Sequence, residues 1–191
     1  MHYYSESNCI GETVMKLIIE KTPISGAFVI HYEPFNDERG SFTRMFCRQE
    51  LESHGLNAQI AQMNLSINNK RGTLRGLHSQ TGDAMEDKLV TCLYGSIFDV
   101  CVDVHKDSPT FGHWVGRVLS PENGTALYIP KGCAHGYLSL TDDSHLLYLT
   151  TEFYQPGMEI GYRFDDPVFS ICWPLPGPYI LSAKDNNLKY L

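Results

Sequence analysis

The feature that most constrains the fold of this chain is a period of two in its apolar residues. The clearest example is the segment 97–104, where Phe98, Val100 and Val102 alternate with Asp99 and Cys101. In a β-strand, successive side chains point to opposite faces, so this alternation separates an apolar face from a polar one. We therefore predict a strand here, with one face in a core.

Other short segments have the same character and are mostly bounded by Gly, Pro, Asn or Asp. The further predicted strands are 26–31, 88–94, 113–119, 126–129, 136–140 and 146–153. One short helix is predicted at 48–54, ending at Gly55. Many short strands with 16 Gly, 10 Pro and hardly any helix indicate an antiparallel sandwich or barrel. The proline-rich stretch 165–185 is expected to wrap the surface instead of joining a central strand.

The length and charge of the chain limit the number of domains and the classes of partner that it can have. A length of 191 residues fits one domain. Residues 1–14 are polar and unpatterned, so we predict a flexible extension there, followed by a single domain over 15–191. The net charge of −7 disfavours nucleic acid or an anionic membrane as a partner. The six cysteines form no C-x-x-C pair and no apolar stretch is long enough to span a membrane, so we expect a cytoplasmic protein.

Reactive side chains are concentrated in two segments. The first contains Arg75 and His78 and is followed by Lys88, and the second is a turn that delivers His135 onto a strand. Together the segments look like the two halves of a cupin signature, whose halves usually supply metal ligands. His78 has no H-x-H partner, and two histidines with the distant Glu86 make a thin ligand set. We therefore expect no bound metal.

Without a metal, His78 is free to act as a general base if a carboxylate orients its ring. Several carboxylates are candidates for that task, among them Asp99, Asp103 and Asp185. All three are distant from His78 in the chain, so spacing alone does not choose between them.

The chain resembles the dTDP-4-dehydrorhamnose 3,5-epimerase family, cupin-fold enzymes of deoxysugar and polysaccharide biosynthesis. The resemblance covers about residues 16 to 185 and is carried, in order, by FNDERGSFTRMF, QMNLSINNKRGTLRGLHSQ, DKLVTCLYGSIFDVCVDVHKDSPTFGHWVGRVLS, ALYIPKGCAHGYLSL, FDDP and LSAKD. It implies an all-β fold, the double-stranded β-helix or cupin jelly roll, with a few short helices. It also implies epimerisation of a nucleoside-diphosphate 4-keto-6-deoxyhexose, with no metal and no organic cofactor.

The resemblance further implies the catalytic roles. The base would be His78 of the RGLH motif, and Asp185 of the LSAKD motif would orient it. Tyr148 would donate the proton on the opposite face of the sugar, since a tyrosine with an ordinary pKa near 10 is protonated at neutral pH. Lys88 and Arg75 would stabilise the enolate or hold the diphosphate.

Substrate binding is implied in the same way. His135 would line the pocket near the sugar, and Gln62, Asn64, Tyr154 and Arg39 match family positions that touch the nucleotide or the sugar. In the family, Arg39 often acts across a dimer interface. Family members are homodimers in which an N-terminal strand pairs with the partner's sheet, so we expect a homodimer.

Three departures from the family pattern leave the exact substrate open. Arg44 stands where an acidic residue is common, Ser79 replaces an aromatic residue, and Phe153 replaces one of two paired tyrosines. The nucleotide could be dTDP or CDP, and C3, C5 or both could be inverted. Two other functions are alternatives, a sugar-nucleotide 3,4-ketoisomerase and a non-catalytic sugar-nucleotide-binding cupin.

Overall fold

The computed structural model describes residues 16–191. The predicted flexible extension, residues 1–14, lies outside the described residues. The strands are β1 (Leu17–Lys21), β2 (Phe28–Tyr32), β3 (Phe35–Asp37), β4 (Gly40–Phe42), β5 (Gln62–Asn68), β6 (Leu74–Gln80), β7 (Lys88–Tyr94), β8 (Ile97–Asp103), β9 (Trp114–Leu119), β10 (Thr125–Ile129), β11 (Cys133–Ser139), β12 (Ser144–Thr150) and β13 (Glu159–Gly161). The α-helices are α1 (Arg48–Ser53) and α2 (Ala183–Asn186), and one 3₁₀ turn spans Gly82–Ala84.

Two antiparallel sheets face each other. One has six strands in the order β1-β2-β10-β7-β12-β5, and the other has five in the order β13-β6-β11-β8-β9. Neighbours such as β2 and β10, or β5 and β12, are far apart in the chain, so the backbone crosses repeatedly from one sheet to the other. This is jelly-roll topology. The predicted all-β, double-stranded β-helix fold with a few short helices is confirmed.

The main core lies between the two sheets. Val29 and Leu127 of the six-stranded sheet are in the same buried cluster as Cys101 and Leu119 of the five-stranded sheet. A second cluster lies on the outer face of the six-stranded sheet, where Leu51 of α1 is buried. Predicted helix 48–54 is thus confirmed, one residue shorter at its end.

Strand β8 is buried on both faces, although its alternation predicted only one face in a core. Cys101, which the alternation placed with Asp99 on the polar face, instead belongs to the core between the sheets. On the other face, Val100 and Val102 pack with Phe169 and Trp173 of the proline-rich C-terminal stretch. That stretch wraps the outside of the sheet, as expected, and in doing so covers the second face of β8.

The other predicted strands are found with shifted ends, and β11 begins at Cys133 rather than at residue 136. His135 therefore lies inside a strand, not in the turn before it. Among the helices of residues 16–191, none has the length and apolar character needed to cross a bilayer. The cytoplasmic location stays a prediction.

Candidate functional site

A pocket of about 550 Å³ opens between the two sheets. This volume lies in the range of small-molecule sites, which is roughly 300–1,000 Å³. All but one of the site residues predicted from the sequence line it, namely Gln62, Asn64, Arg75, His78, Lys88, His135, Tyr148, Tyr154 and Asp185. Residues from six strands and from α2 thus meet in one pocket, although Gln62 and Asp185 are 123 positions apart in the chain.

His78 on β6 forms a hydrogen-bonded pair with Asp185 on α2. The distance between His78 Nε2 and Asp185 Oδ1 is 2.6 Å. Ser182 caps the N-terminus of α2, where its Oγ accepts a hydrogen bond of 3.0 Å from the Asp185 N–H, and this fixes the carboxylate. The other ring nitrogen, Nδ1, is 3.9 Å from Glu159 Oε1. One side of the imidazole is therefore anchored, and the other can exchange a proton.

The pKa of Asp185 is lower than that of an ordinary carboxyl group. Burial by itself would raise this pKa, but the hydrogen bond with His78 and the charge of its ring when protonated outweigh it, together with hydrogen bonds from Ser182 and the Gly76 N–H. The group is thus an anion at neutral pH, and it stabilises the imidazolium that forms when His78 takes up a proton.

The three carboxylates that the sequence left open have separate partners. Asp99 Oδ1 is 2.6 Å from His135 Nε2, and Asp103 accepts a hydrogen bond of 2.6 Å from Thr110 Oγ1. Of these three carboxylates, only Asp185 reaches His78. Because His78 and His135 are directly opposite in the register of β6 and β11, two imidazole–carboxylate pairs lie side by side in the pocket wall.

Two glycines allow β6 and β11 to approach each other beside these histidines. A Cβ on Gly76, whose φ is +111°, would lie 2.6 Å from Gly136 Cα and 2.7 Å from the His135 carbonyl oxygen. A Cβ on Gly136 would lie 2.9 Å from the Arg75 carbonyl oxygen. Since backbone atoms cannot move aside as side chains do, only glycine fits at either position.

Tyr148 lies on β12 of the six-stranded sheet, whereas His78 lies on the five-stranded sheet. The two residues therefore approach the pocket from opposite walls. Burial raises the pKa of Tyr148, and the negative charges of Glu86 and Glu159 raise it further against the opposing charge of Arg75. The phenol is consequently protonated at neutral pH and is suited to donate a proton.

Cationic groups complete the pocket. Lys88 Nζ is 3.2 Å from Glu86 Oε1, and Arg75 Nε donates a 2.8 Å hydrogen bond to Asn68 Oδ1. The positive charges of Lys88 and Arg75 therefore border the same space as His78 and Tyr148.

The pocket residues that sequence reasoning missed include an ion pair. Lys184 and Glu159 form an ion pair and both line the pocket. Lys184 precedes Asp185 in the LSAKD motif, and that position was a usable signal. Glu159 lies in the three-residue strand β13, which has no pattern that identifies it.

Arg39 is the one predicted site residue that the structure does not place in the pocket. It lies at the turn between β3 and β4, its side chain is 83% exposed, and it is paired with Asp37. By contrast, the predicted binding residues Gln62 and Tyr154 contact each other, since Gln62 Oε1 accepts a 2.7 Å hydrogen bond from the Tyr154 N–H.

Within residues 16–191, no three His, Cys, Asp or Glu side chains are grouped so as to hold a metal ion. His78 and His135 instead each use a ring nitrogen to bind a carboxylate of their own.

The double-stranded β-helix with a polar pocket between its sheets is the architecture of a cupin-fold protein. The chain belongs to the dTDP-4-dehydrorhamnose 3,5-epimerase family, whose model matches residues 21–191. The family resemblance seen in the sequence is confirmed, and the protein is an enzyme of the isomerase class.

Individual members of the family are similar to this chain over most of its length. The dTDP-4-dehydrorhamnose 3,5-epimerase of Methanothermobacter thermautotrophicus is 43% identical over 173 residues, which cover 90% of this chain and 92% of the relative. A dTDP-6-deoxy-D-glucose-3,5-epimerase from Legionella pneumophila, solved in complex with dTDP-4-keto-L-rhamnose, is similar with a TM-score of 0.86 and 39% identity, covering 91% and 92% of the two chains. A 3'-monoepimerase from Streptomyces bikiniensis, solved with dTDP-quinovose, is similar with a TM-score of 0.83 and 33% identity, covering 90% and 86%.

Proposed function

We propose that this protein inverts C3 and C5 of a dTDP-linked 4-keto-6-deoxyhexose in deoxysugar biosynthesis, with His78 as the base and Tyr148 as the acid. The observation that carries the proposal is the placement of an Asp185-bound imidazole and a protonated phenol on opposite walls of one pocket. A sugar ring bound between these walls presents one face to each group.

The chemistry follows from the ketone at C4. A hydrogen on C3 or C5 is acidic because its removal leaves an enolate, whose negative charge is on the C4 oxygen. His78 takes the proton, and Asp185 stabilises the resulting imidazolium. Tyr148 then returns a proton to the carbon from the opposite face, which inverts the centre. Lys88 and Arg75 supply positive charge to the enolate oxygen or to the diphosphate.

The rest of the pocket holds the substrate. His135 lies beside His78 and is placed to contact the sugar, and Gln62, Asn64 and Tyr154 line the part of the pocket built from β5 and the loop after β12. The solved relative from Legionella pneumophila contains dTDP-4-keto-L-rhamnose. Its name and those of the other relatives support dTDP over CDP as the nucleotide.

We also propose that the active form is a homodimer, in which Arg39 of one subunit reaches the substrate pocket of the other. Arg39 lies outside the pocket of its own chain and projects from the β3–β4 hairpin. The outer face of edge strand β5 exposes Met63, Leu65 and Ile67, with exposed fractions of 65%, 54% and 50%. An apolar face on an open sheet edge is a surface that association would cover.

The deciding experiment is incubation in D₂O with dTDP- and CDP-4-keto-6-deoxyglucose, followed by NMR of the sugar. The proposal expects deuterium at both C3 and C5 of the dTDP sugar. Deuterium at C3 alone would instead match the monoepimerase, and a ketone moved to C3 would indicate the ketoisomerase. Tight binding of the sugar nucleotide with no exchange would identify a non-catalytic binding protein.

A further inference from the structure

We propose that Glu86 is a positioning residue of the epimerisation, which fixes the ammonium group of Lys88 in the pocket. The inference rests on the proposed function and takes Lys88 to be the cation that faces the enolate oxygen. Glu86 precedes β7 and lines the same pocket as Lys88 and Tyr148.

The two oxygens of Glu86 have different partners. Oε1 is 3.2 Å from Lys88 Nζ, and Oε2 accepts a hydrogen bond of 3.2 Å from Gln80 Nε2. The Glu86 and Lys88 side chains are only 9% and 12% exposed, so water screens their contact far less than it would on the surface. A lysine ammonium group is carried on a flexible four-carbon chain, and pairing with a fixed anion restricts it to one position.

Gln80 in turn fixes Glu86. The Oε1 atom of Gln80 accepts a 2.8 Å hydrogen bond from the Gln155 N–H, which sets the orientation of the amide. The NH₂ end therefore faces Glu86 and the carbonyl oxygens of Ala84 and Phe153. The Gln80 side chain is buried and cannot reverse its amide without breaking the bond to Gln155.

This arrangement requires a carboxylate at position 86. Glu86 meets one donor from Lys88 and another from Gln80, so it must accept at both oxygens. A glutamine there has only one acceptor oxygen, and its NH₂ group would face a donor. The same hydrogen-bond chain connects Lys88 to residues 153–155, which include the proposed substrate contact Tyr154.

Glu86 also acts on the proposed proton donor through its charge. The charged groups that affect Tyr148 are Glu86 before β7, Glu159 on β13 and Arg75 on β6. Glu86 and Glu159 favour the neutral phenol, and Arg75 opposes them. Removal of the charge on Glu86 therefore lowers the pKa of Tyr148, so that the phenol loses its proton at a lower pH.

The test compares Glu86→Gln with the wild type on dTDP-4-keto-6-deoxyglucose, measuring kcat and KM across the pH range and the thermal unfolding midpoint. We expect kcat to fall about 10- to 100-fold, the range that a hydrogen bond to a charged group is worth, with KM changed less than about threefold. The alkaline limb of the kcat profile should move to lower pH. Glu52→Gln is the matched control, because Glu52 pairs with Arg48 on the exposed face of α1 and should leave all three readouts unchanged.

A second variant separates position from charge. Glu86→Asp keeps the anion but shortens its reach to Lys88, so kcat should fall while the alkaline limb moves less than in Glu86→Gln. The inference is overturned if Glu86→Gln keeps the wild-type kcat. It is equally overturned if both variants lose activity only in proportion to unfolded protein, with the pH profile of the folded fraction unchanged. Failure of the proposed function is distinct, because the wild type itself would then incorporate no deuterium at C3 or C5.

Discussion

At the scale of single residues, each imidazole in the pocket is held by one buried carboxylate, and the two pairs differ in where that carboxylate lies. Asp99 is on β8, next to the strand of His135, whereas Asp185 reaches His78 from a C-terminal helix of four residues. The orientation of the proposed base thus depends on the last part of the chain. It also depends on the cap that Ser182 provides.

Replacement of Asp185 by asparagine tests this dependence. The change keeps the size of the side chain but removes the negative charge that stabilises protonated His78. A positioned base contributes about 10² to 10⁴ in rate, and we expect a loss within that range in deuterium incorporation, measured by NMR in D₂O. Asp107→Asn, on an exposed loop, is the control and should exchange at the wild-type rate. Full activity of Asp185→Asn would show that His78 needs no carboxylate.

Replacement of Tyr148 by phenylalanine separates the two halves of the reaction. His78 and Asp185 still remove the proton, so hydrogen exchange with D₂O should continue at a measurable rate. Inversion should be largely lost, because the donor on the opposite face is gone. The measurement is the ratio of deuterated starting sugar to inverted sugar by NMR. Complete loss of exchange would mean that Tyr148 does more than donate the proton after His78 has removed one.

At the scale of elements, sequence reasoning found most strands of the core, but of the six strands that line the pocket it missed β5, β6 and β13. Strand β8 was predicted because its alternating residues pack in the core between the sheets or beneath the C-terminal stretch. Strand β5 was missed although its sequence alternates, with the polar Gln62, Asn64 and Ser66 facing the pocket and the apolar residues facing out. Strand β6 contains Gly76, Arg75 and His78, which remove the alternation altogether. In both strands the pocket takes the place of apolar core, so the inward face of β5 is polar, and only β6 loses the alternation.

The residue pairings were only partly readable from the sequence. The family motifs placed His78, Lys88 and Tyr148 correctly in one pocket. Spacing could not show which aspartate meets which histidine, since such contacts join residues 36 and 107 positions apart. Arg39 was assigned to the site from its motif, and the single chain leaves it at an exposed turn.

The close contact between β6 and β11 can be tested by adding a side chain at Gly136. In Gly136→Ala, the new Cβ would meet Leu77 Cδ2 at 2.7 Å and the Arg75 carbonyl at 2.9 Å, so the strands must separate. We expect a loss of about 1–3 kcal/mol in the free energy of unfolding, measured in urea, and lower activity because His78 and His135 shift. Gly177→Ala is the control, because a Cβ there meets no atom nearer than 3.8 Å. Unchanged stability and activity in Gly136→Ala would mean that the strand spacing is not critical.

At the scale of the whole molecule, the two sheets differ in how their outer faces are covered. The C-terminal stretch packs Phe169 and Trp173 onto the five-stranded sheet. On the six-stranded sheet, Leu51 of α1 packs into the outer cluster. The outer face of edge strand β5 is not covered in the same way, since Leu65 is 54% exposed. The proposed homodimer would cover that remaining face.

Placing a charge on this face tests the dimer and the role of Arg39 together. Leu65 points away from the pocket, so Leu65→Lys should fold normally but should weaken association, because burial of an unpaired ammonium is costly. We expect a shift from dimer to monomer in light scattering, with KM for the sugar nucleotide raised if Arg39 binds across the interface. Val118→Lys, at a 43% exposed position on edge strand β9, is the control and should remain a dimer with unchanged KM. A wild-type protein that is monomeric and fully active would contradict the homodimer. A Leu65→Lys monomer with normal KM would instead remove Arg39 from the substrate site.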